Sequence, residues 1–228
     1  DVSWIDNITL KASYGVQGND NLGSYYAWQS LYNMNYPNSN ESGAVIGSIE
    51  NKDITWEKNG NLNVGLEFRL LGRITGTVEW YNRTTTDLLL EYPMAISLGF
   101  PGYYANVGSM VNRGWDITLG VDVISNKDWR WNVTVMASTL SNKVKKLTGG
   151  NDDIINGVYI IREGEELNTF YMAKSAGVDP VTGEQLYWAY EKNADGSMKP
   201  GTEYITNDAT VAASSKYLQG SRIPDVYG

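Results

Sequence analysis

The stretch "NVGSMVNRGWDITLGVDV", residues 106–123, decides the fold. From Trp115 on, Trp115, Ile117, Leu119, Val121 and Val123 alternate with Asp116, Thr118, Gly120 and Asp122. Side chains on a strand point alternately to its two sides, so this segment carries one apolar face and one polar face. Four other segments of nine residues behave alike: 8–16, 62–70, 74–82 and 129–137. Across the five, 24 of 25 residues on the apolar side are apolar or Gly, with Asn82 the exception, and 15 of 20 on the other side are polar or charged. No segment shows helical periodicity of similar quality, so the sequence predicts an all-β chain.

Alternation alone does not say what each face looks at. A soluble β-sandwich turns its apolar face to the core and its polar face to water. A membrane barrel turns the apolar face to lipid and the polar face to the lumen. Three features separate them. The connections at 71–73 and 124–128 are short, while those at 17–61, 83–114 and after about 138 are long, and alternating strand direction puts the short ones on one side. That asymmetry is the pattern of outer-membrane barrels, whose turns are short on the periplasmic side. Three structureless loops of such length at one end are uncommon in a compact soluble domain. Nine residues also match a tilted bilayer crossing, whereas ordinary strands cluster near five or six. Finally, Tyr14, Trp80 and Trp115 lie at the long-loop ends and Phe68, Trp129 and Trp131 toward the short-turn ends, two aromatic belts at two heights. The apolar face is therefore expected to look at lipid and the polar face into a pore. Five strands leave unpaired backbone groups in hydrocarbon, so strands before residue 1 and after residue 228, or other copies, are expected to complete the barrel.

Composition narrows the function. A net charge of −8 over 228 residues argues against a nucleic-acid partner. The chain has no Cys and no His, which removes thiolate chemistry and the commonest general base. No apolar run is long enough for a transmembrane helix, and the start "DVSWIDNITLKASYG" shows no signal peptide and reads, like the end, as a cut through a longer chain.

The segments "LKASYGVQGNDNLGSY" (10–25), "WEKNGNLNVGLEF" (56–68), "GTVEWYNRTTTDLLL" (76–90), "YYANVGSMVNRGWDITLGV" (103–121) and "GVDPVTGEQLYW" (177–188) together resemble the second half of the barrel of SusC-type TonB-dependent outer-membrane transporters of Bacteroidota. The resemblance implies a large antiparallel transmembrane barrel of 22 strands with an N-terminal plug. It also implies TonB-powered import through the missing N-terminal part, and a SusD-like surface lipoprotein as lid. Substrates implied are oligosaccharides above all, and also peptides. Residues 1–140 are then barrel strands with long extracellular loops, and 141–228 an extracellular region of short hairpins without a further crossing, with a turn at "DPVTGE". The alternatives are a secreted, soluble all-β carbohydrate-binding module and a passive porin.

The candidate ligand-binding residues are loop aromatics. Of sixteen Tyr, only Tyr14 and Tyr81 fall on the five segments. Tyr25, Tyr26 and Trp28 cluster with Tyr32 in the first loop, and Tyr103 with Tyr104 closes the second. Flat rings stack on the apolar faces of sugars while neighbouring Asn and Asp take the hydroxyls. The bland alternative is that the rings pack loops together or meet a lid. The acidic runs at 151–157 and 162–168 read as solvated loop faces, and none of the Asn/Asp clusters has the spacing of a calcium loop. No catalytic residue, metal or cofactor is expected, and the chain is not expected to be an enzyme.

Overall fold

The alternating segments become neighbours in one antiparallel sheet. A computed structural model describes residues 3–39, 41–100, 102–148, 153–194 and 196–224, and the chain divides into two compact units, Asp1–Asp152 and Asp153–Gly228. The first unit runs through β1 (Ile5–Asn19), β2 (Leu31–Asn38), β3 (Glu41–Ser48), β4 (Glu57–Leu70), β5 (Ile74–Thr86), β6 (Leu89–Pro93), β7 (Gly102–Asn106), β8 (Gly108–Ser125), β9 (Arg130–Ser138) and β10 (Ser141–Leu147). The main sheet has the order β1-β4-β5-β8, and β8 is long enough to pair β9 along one half and β10 along the other. At the junction, Thr139 N–H donates to the Trp115 carbonyl at 2.8 Å and Trp115 N–H to the Thr139 hydroxyl at 3.0 Å. β9 and β10 are thus one strand with a local irregularity, and the sheet continues to Leu147.

The short turns are built by their own residues. Leu71 and Gly72 both have positive φ, at 55° and 64°, and Arg73 N–H donates to the Leu70 carbonyl at 3.1 Å. Positive φ at both central positions matches the right-handed twist of the flanking strands. Asp6 accepts from Gly72 N–H at 2.6 Å. In the other turn, the Asn126 side chain accepts from Asp128 and Trp129 N–H at 3.0 and 2.8 Å. Both turns lie at one end of the sheet.

The apolar face is bare. The rows Ile8–Phe68–Gly76–Leu119–Val135 and Leu10–Leu66–Val78–Ile117–Ala137 follow from the registers. Leu10 is 74% exposed and Val135 60%. A sandwich would have covered these rows with a second sheet, so the soluble-module alternative fails here. Buried apolar residues of this unit instead gather at the long-loop end, around Val107, Val144 and Leu147.

Aromatic residues frame the bare band. Trp80 and Trp115 are direct cross-strand partners. From Thr139, opposite Trp115, down to Trp131 the strand runs about 27 Å, which a barrel tilt of 35–45° shortens to roughly 20 Å, near the height of a lipid-facing band. Asn82, the exception to the pattern, lies two pairs beyond Trp80, where its side-chain amide oxygen accepts from the Arg113 guanidinium at 3.1 Å. The outward side turns polar just past the belt. On this sheet the strands also run past the nine-residue segments toward the long loops.

The second unit contains β11 (Ile154–Asn156), β12 (Tyr159–Ile161), β13 (Thr169–Met172), β14 (Lys174–Val178), β15 (Gln185–Ala189), β16 (Tyr204–Thr206), α1 (Ala209–Ser214) and β17 (Tyr217–Gly220). They form a sheet of order β11-β12-β13-β17 and another of order β14-β15-β16. Ile160, Ala189 and Ala212 are its buried centre. The "DPVTGE" stretch is the β14–β15 turn: Asp179 accepts through its side chain from Val181 and Thr182 N–H at 2.7 and 3.1 Å, and Gly183 takes φ 75°. Its described strands are three to five residues long, against the nine or more that a crossing needs.

Candidate functional site

Past the aromatic belt, the long connections of the first unit fold rather than wander. The chain between β1 and β4 makes the β2–β3 hairpin, and the chain between β5 and β8 makes β6–β7. A cavity of about 380 Å³ lies between them, lined by Tyr32 and Asn33 of β2, Glu91 of β6, and Tyr103 and Tyr104 of β7. Tyr103 faces Tyr92 across its hairpin, with ring centroids 6.1 Å apart and planes at 52°. Pairing to β6 fixes the backbone of both tyrosines, and the Asn51 side chain donates to the Tyr104 carbonyl at 2.9 Å.

Asn106 clasps this arrangement. Its amide nitrogen donates to the Thr55 carbonyl at 2.8 Å and the Asp87 carbonyl at 2.7 Å, and its oxygen accepts from Thr55 N–H at 2.9 Å. One side chain therefore holds the end of the first loop against both arms of the second. Val107 beside it is buried. Gly108 has φ 156°, and a Cβ there would run into the Lys146 carbonyl. The "NVG" at the head of the opening stretch is thus a packed junction between loops and sheet.

The structure divides the five candidate aromatics. Tyr103 and Tyr104 share the cavity with Tyr32. Tyr25 and Trp28 line a neighbouring cavity of about 490 Å³ with Asp20 and Asn21, and Ser24 and Ala27 contribute to both. Tyr26 lines neither. Tyr25 is 95% exposed, so it stands at the open edge of that neighbouring cavity. Glu91, Asn33 and Asn106 were missed, because the hairpins that carry them do not alternate cleanly. An Asn directly before Val-Gly at a strand start was the available signal for the clasp. Aromatic faces, phenolic and amide groups and one carboxylate can bind an uncharged polar ligand by stacking and hydrogen bonds. They offer no nucleophile with an adjacent base.

The polar face of the sheet pairs mostly with itself. Lys11 makes an ion pair with Glu67, Asn63 donates to the Ser13 hydroxyl at 3.2 Å, and Asn132 donates to Asp122 at 3.0 Å. Around Gly65 a groove of about 250 Å³ opens between Lys11, Glu67 and Glu79.

Comparison with known proteins agrees with this architecture. The model of the family "TonB dependent receptor-like, beta-barrel" matches residues 1–221. TonB-dependent receptor P39 of Formosa agariphila is 32% identical over 178 residues, which is 78% of this chain and 17% of that protein. TonB-dependent receptor SusC of Bacteroides thetaiotaomicron is 27% identical over 241 residues, covering 99% of this chain and 23% of SusC. The structure of the RagAB peptide transporter superposes with a TM-score of 0.75 at 32% identity, over 95% of this chain and 24% of that one. The chain thus spans about a fifth of the length of these relatives. With its bare apolar band, its short and long ends and a family match along nearly its whole length, the chain belongs to the TonB-dependent receptor-like β-barrels of the outer membrane.

Proposed function

We propose that this chain forms part of the barrel wall and outer mouth of an importer that carries a bulky nutrient, an oligosaccharide, with energy from TonB and a SusD-like lipoprotein as lid. The observation that carries the reading is the aromatic, amide-bearing cavity at the long-loop end of a lipid-facing sheet. Tyr32, Tyr103 and Tyr104 offer ring faces, while Asn33 and Glu91 offer hydrogen-bonding groups to hydroxyls. The similarity to SusC and to the RagAB transporter supports import with a lipoprotein partner. The RagAB similarity also favours a second cargo class, oligopeptides, for the same cavity.

In the full-length importer, Tyr103→Ala and Tyr104→Ala should each weaken oligosaccharide binding roughly tenfold, about 1.4 kcal/mol, with barrel melting unchanged. Isothermal titration with neutral oligosaccharides and with oligopeptides of similar size checks it. Unaltered affinity in both variants would remove these tyrosines from the site. Binding of peptides alone would replace the cargo.

Residues 1–140 are assigned to spanning strands with outer loops, and 141–228 to an outer region suited to meet a lid or close over cargo. Short strands and the tight "DPVTGE" turn support this assignment. Val181, 90% exposed at that turn, is the position to probe. Val181→Cys should react with a membrane-impermeant maleimide in intact cells. Labelling only after the outer membrane is opened would place a further crossing between β10 and β14.

A further inference from the structure

The second unit holds a cavity of about 630 Å³ lined by residues of β13 and β17, by residues flanking β11, β12 and β15, and by the chain around Met198, a volume within the roughly 300–1,000 Å³ of small-molecule sites. Its lining includes Tyr171, Tyr190 and Tyr217 together with Asp153, Arg162 and Lys216. The Arg162 guanidinium grips Asp153 with both prongs, Nε to Oδ1 at 2.9 Å and Nη2 to Oδ2 at 2.6 Å. That pairing holds the Arg162 pKa above its ordinary value and occupies the single carboxylate on the described lining.

Lys216 is different. Its ammonium lies 5.8 Å over the Tyr171 ring and has no carboxylate partner among the described residues. Its backbone is fixed, because the Tyr190 hydroxyl donates to the Lys216 carbonyl at 2.9 Å. Tyr190 and Tyr217 meet edge to face, with centroids 4.9 Å apart. Burial raises the pKa of both phenols, so neither adds negative charge. The Tyr217 hydroxyl is buried without a partner among the described residues. Glu165 and Glu203 act on Arg162 and Tyr217 from beyond the lining. The cavity wall therefore carries two cations against one paired carboxylate, inside a chain whose net charge is −8. A spare cation among tyrosine rings fits a ligand with a carboxylate on a ring that has both apolar and hydroxyl-bearing faces.

We propose that this cavity is a subsite for a carboxylate-bearing sugar, a uronic-acid unit of the cargo, with Lys216 as its charge partner and the tyrosine rings as its wall. The inference rests on the oligosaccharide reading of the cargo. The test uses the full-length importer and three probes: trigalacturonate, its methyl ester, and trialanine with a free C-terminus. The wild type should bind trigalacturonate roughly tenfold more tightly than the ester, and added salt should narrow the gap. Lys216→Gln should abolish the preference, and Lys216→Arg should keep it. Equal binding of acid and ester, no binding of either, or a preference untouched in Lys216→Gln, overturns the subsite. Where the ester still binds the wild type, the oligosaccharide reading stands; where neither acid nor ester binds, that reading falls with the subsite. Binding of trialanine alone overturns both.

Discussion

Arginine in place of Leu66 or Leu119 will destabilise the folded barrel by roughly 2–4 kcal/mol, as a charge near the middle of a lipid-facing band does. Leu119 sits in the row between Gly76 and Val135, about halfway from the Trp115 belt to Trp131, and Leu66 lies one row nearer the belt. The cross-strand neighbours of Leu66 are Leu10 and Val78, both apolar, so a guanidinium there meets no polar partner on its row. Asn63→Arg and Thr118→Arg point to the opposite face and should cost far less; Asn63 would give up its bond to the Ser13 hydroxyl, about 1 kcal/mol. Equilibrium unfolding in urea, with the full-length protein in phospholipid vesicles, reads all four. A larger cost for the Asn63 and Thr118 variants would show that the faces are assigned the wrong way round.

The second large effect is expected at Gly114. Tyr81 is its cross-strand partner, and the Tyr81 ring covers the glycine while its hydroxyl donates to the Thr139 carbonyl at 3.0 Å. A Cβ at Gly114 would fall on the Tyr81 ring and against that same carbonyl. Gly114→Val must therefore expel the ring and its hydrogen bond from the point where β9 gives way to β10. Overpacking contributes about 1–3 kcal/mol and the lost bond about 0.5–1.5 kcal/mol. Tyr81→Phe, which keeps the ring and removes only the hydroxyl, should show the smaller part alone. Amide exchange at residues 139–144 should accelerate strongly in Gly114→Val and little in Tyr81→Phe. Unchanged exchange in Gly114→Val would mean that the ring is not held where it lies.

The spanning strands were legible because lipid on one side demands an apolar residue at every second position. The pattern is strict between the aromatic belts and fails at Asn82 and Arg113, where the same side meets water. Strand ends beyond the belts were illegible for that reason. The hairpins of the long loops escaped as well: β2–β3 carries register shifts between Leu31 and Tyr32 and between Asn33 and Tyr36, which break any period of two. The candidate site was half legible. Tyr103 and Tyr104 stood out as exposed-type aromatics ending a loop, but their company depends on contacts distant in sequence. Thr55 and Asn106 are 51 positions apart, and no local rule connects them. Asn51, Asn33 and Glu91 look like ordinary loop residues until β7 is laid beside β6.

The sheet order β1-β4-β5-β8 pairs strands that follow one another along the barrel wall, whatever is threaded between them. β4 and β5 are linked by Leu71, Gly72 and Arg73, whereas β1 and β4 are linked by residues 20–56 with a hairpin of their own. Closing a flexible loop costs entropy that grows only as the logarithm of its length, about 0.6 kcal/mol for each doubling. A link of the second kind can therefore lengthen, shorten or be exchanged for another with little change in the free energy of the wall. Mutation and recombination can therefore try new outer loops while the paired strands beneath them stay as they are.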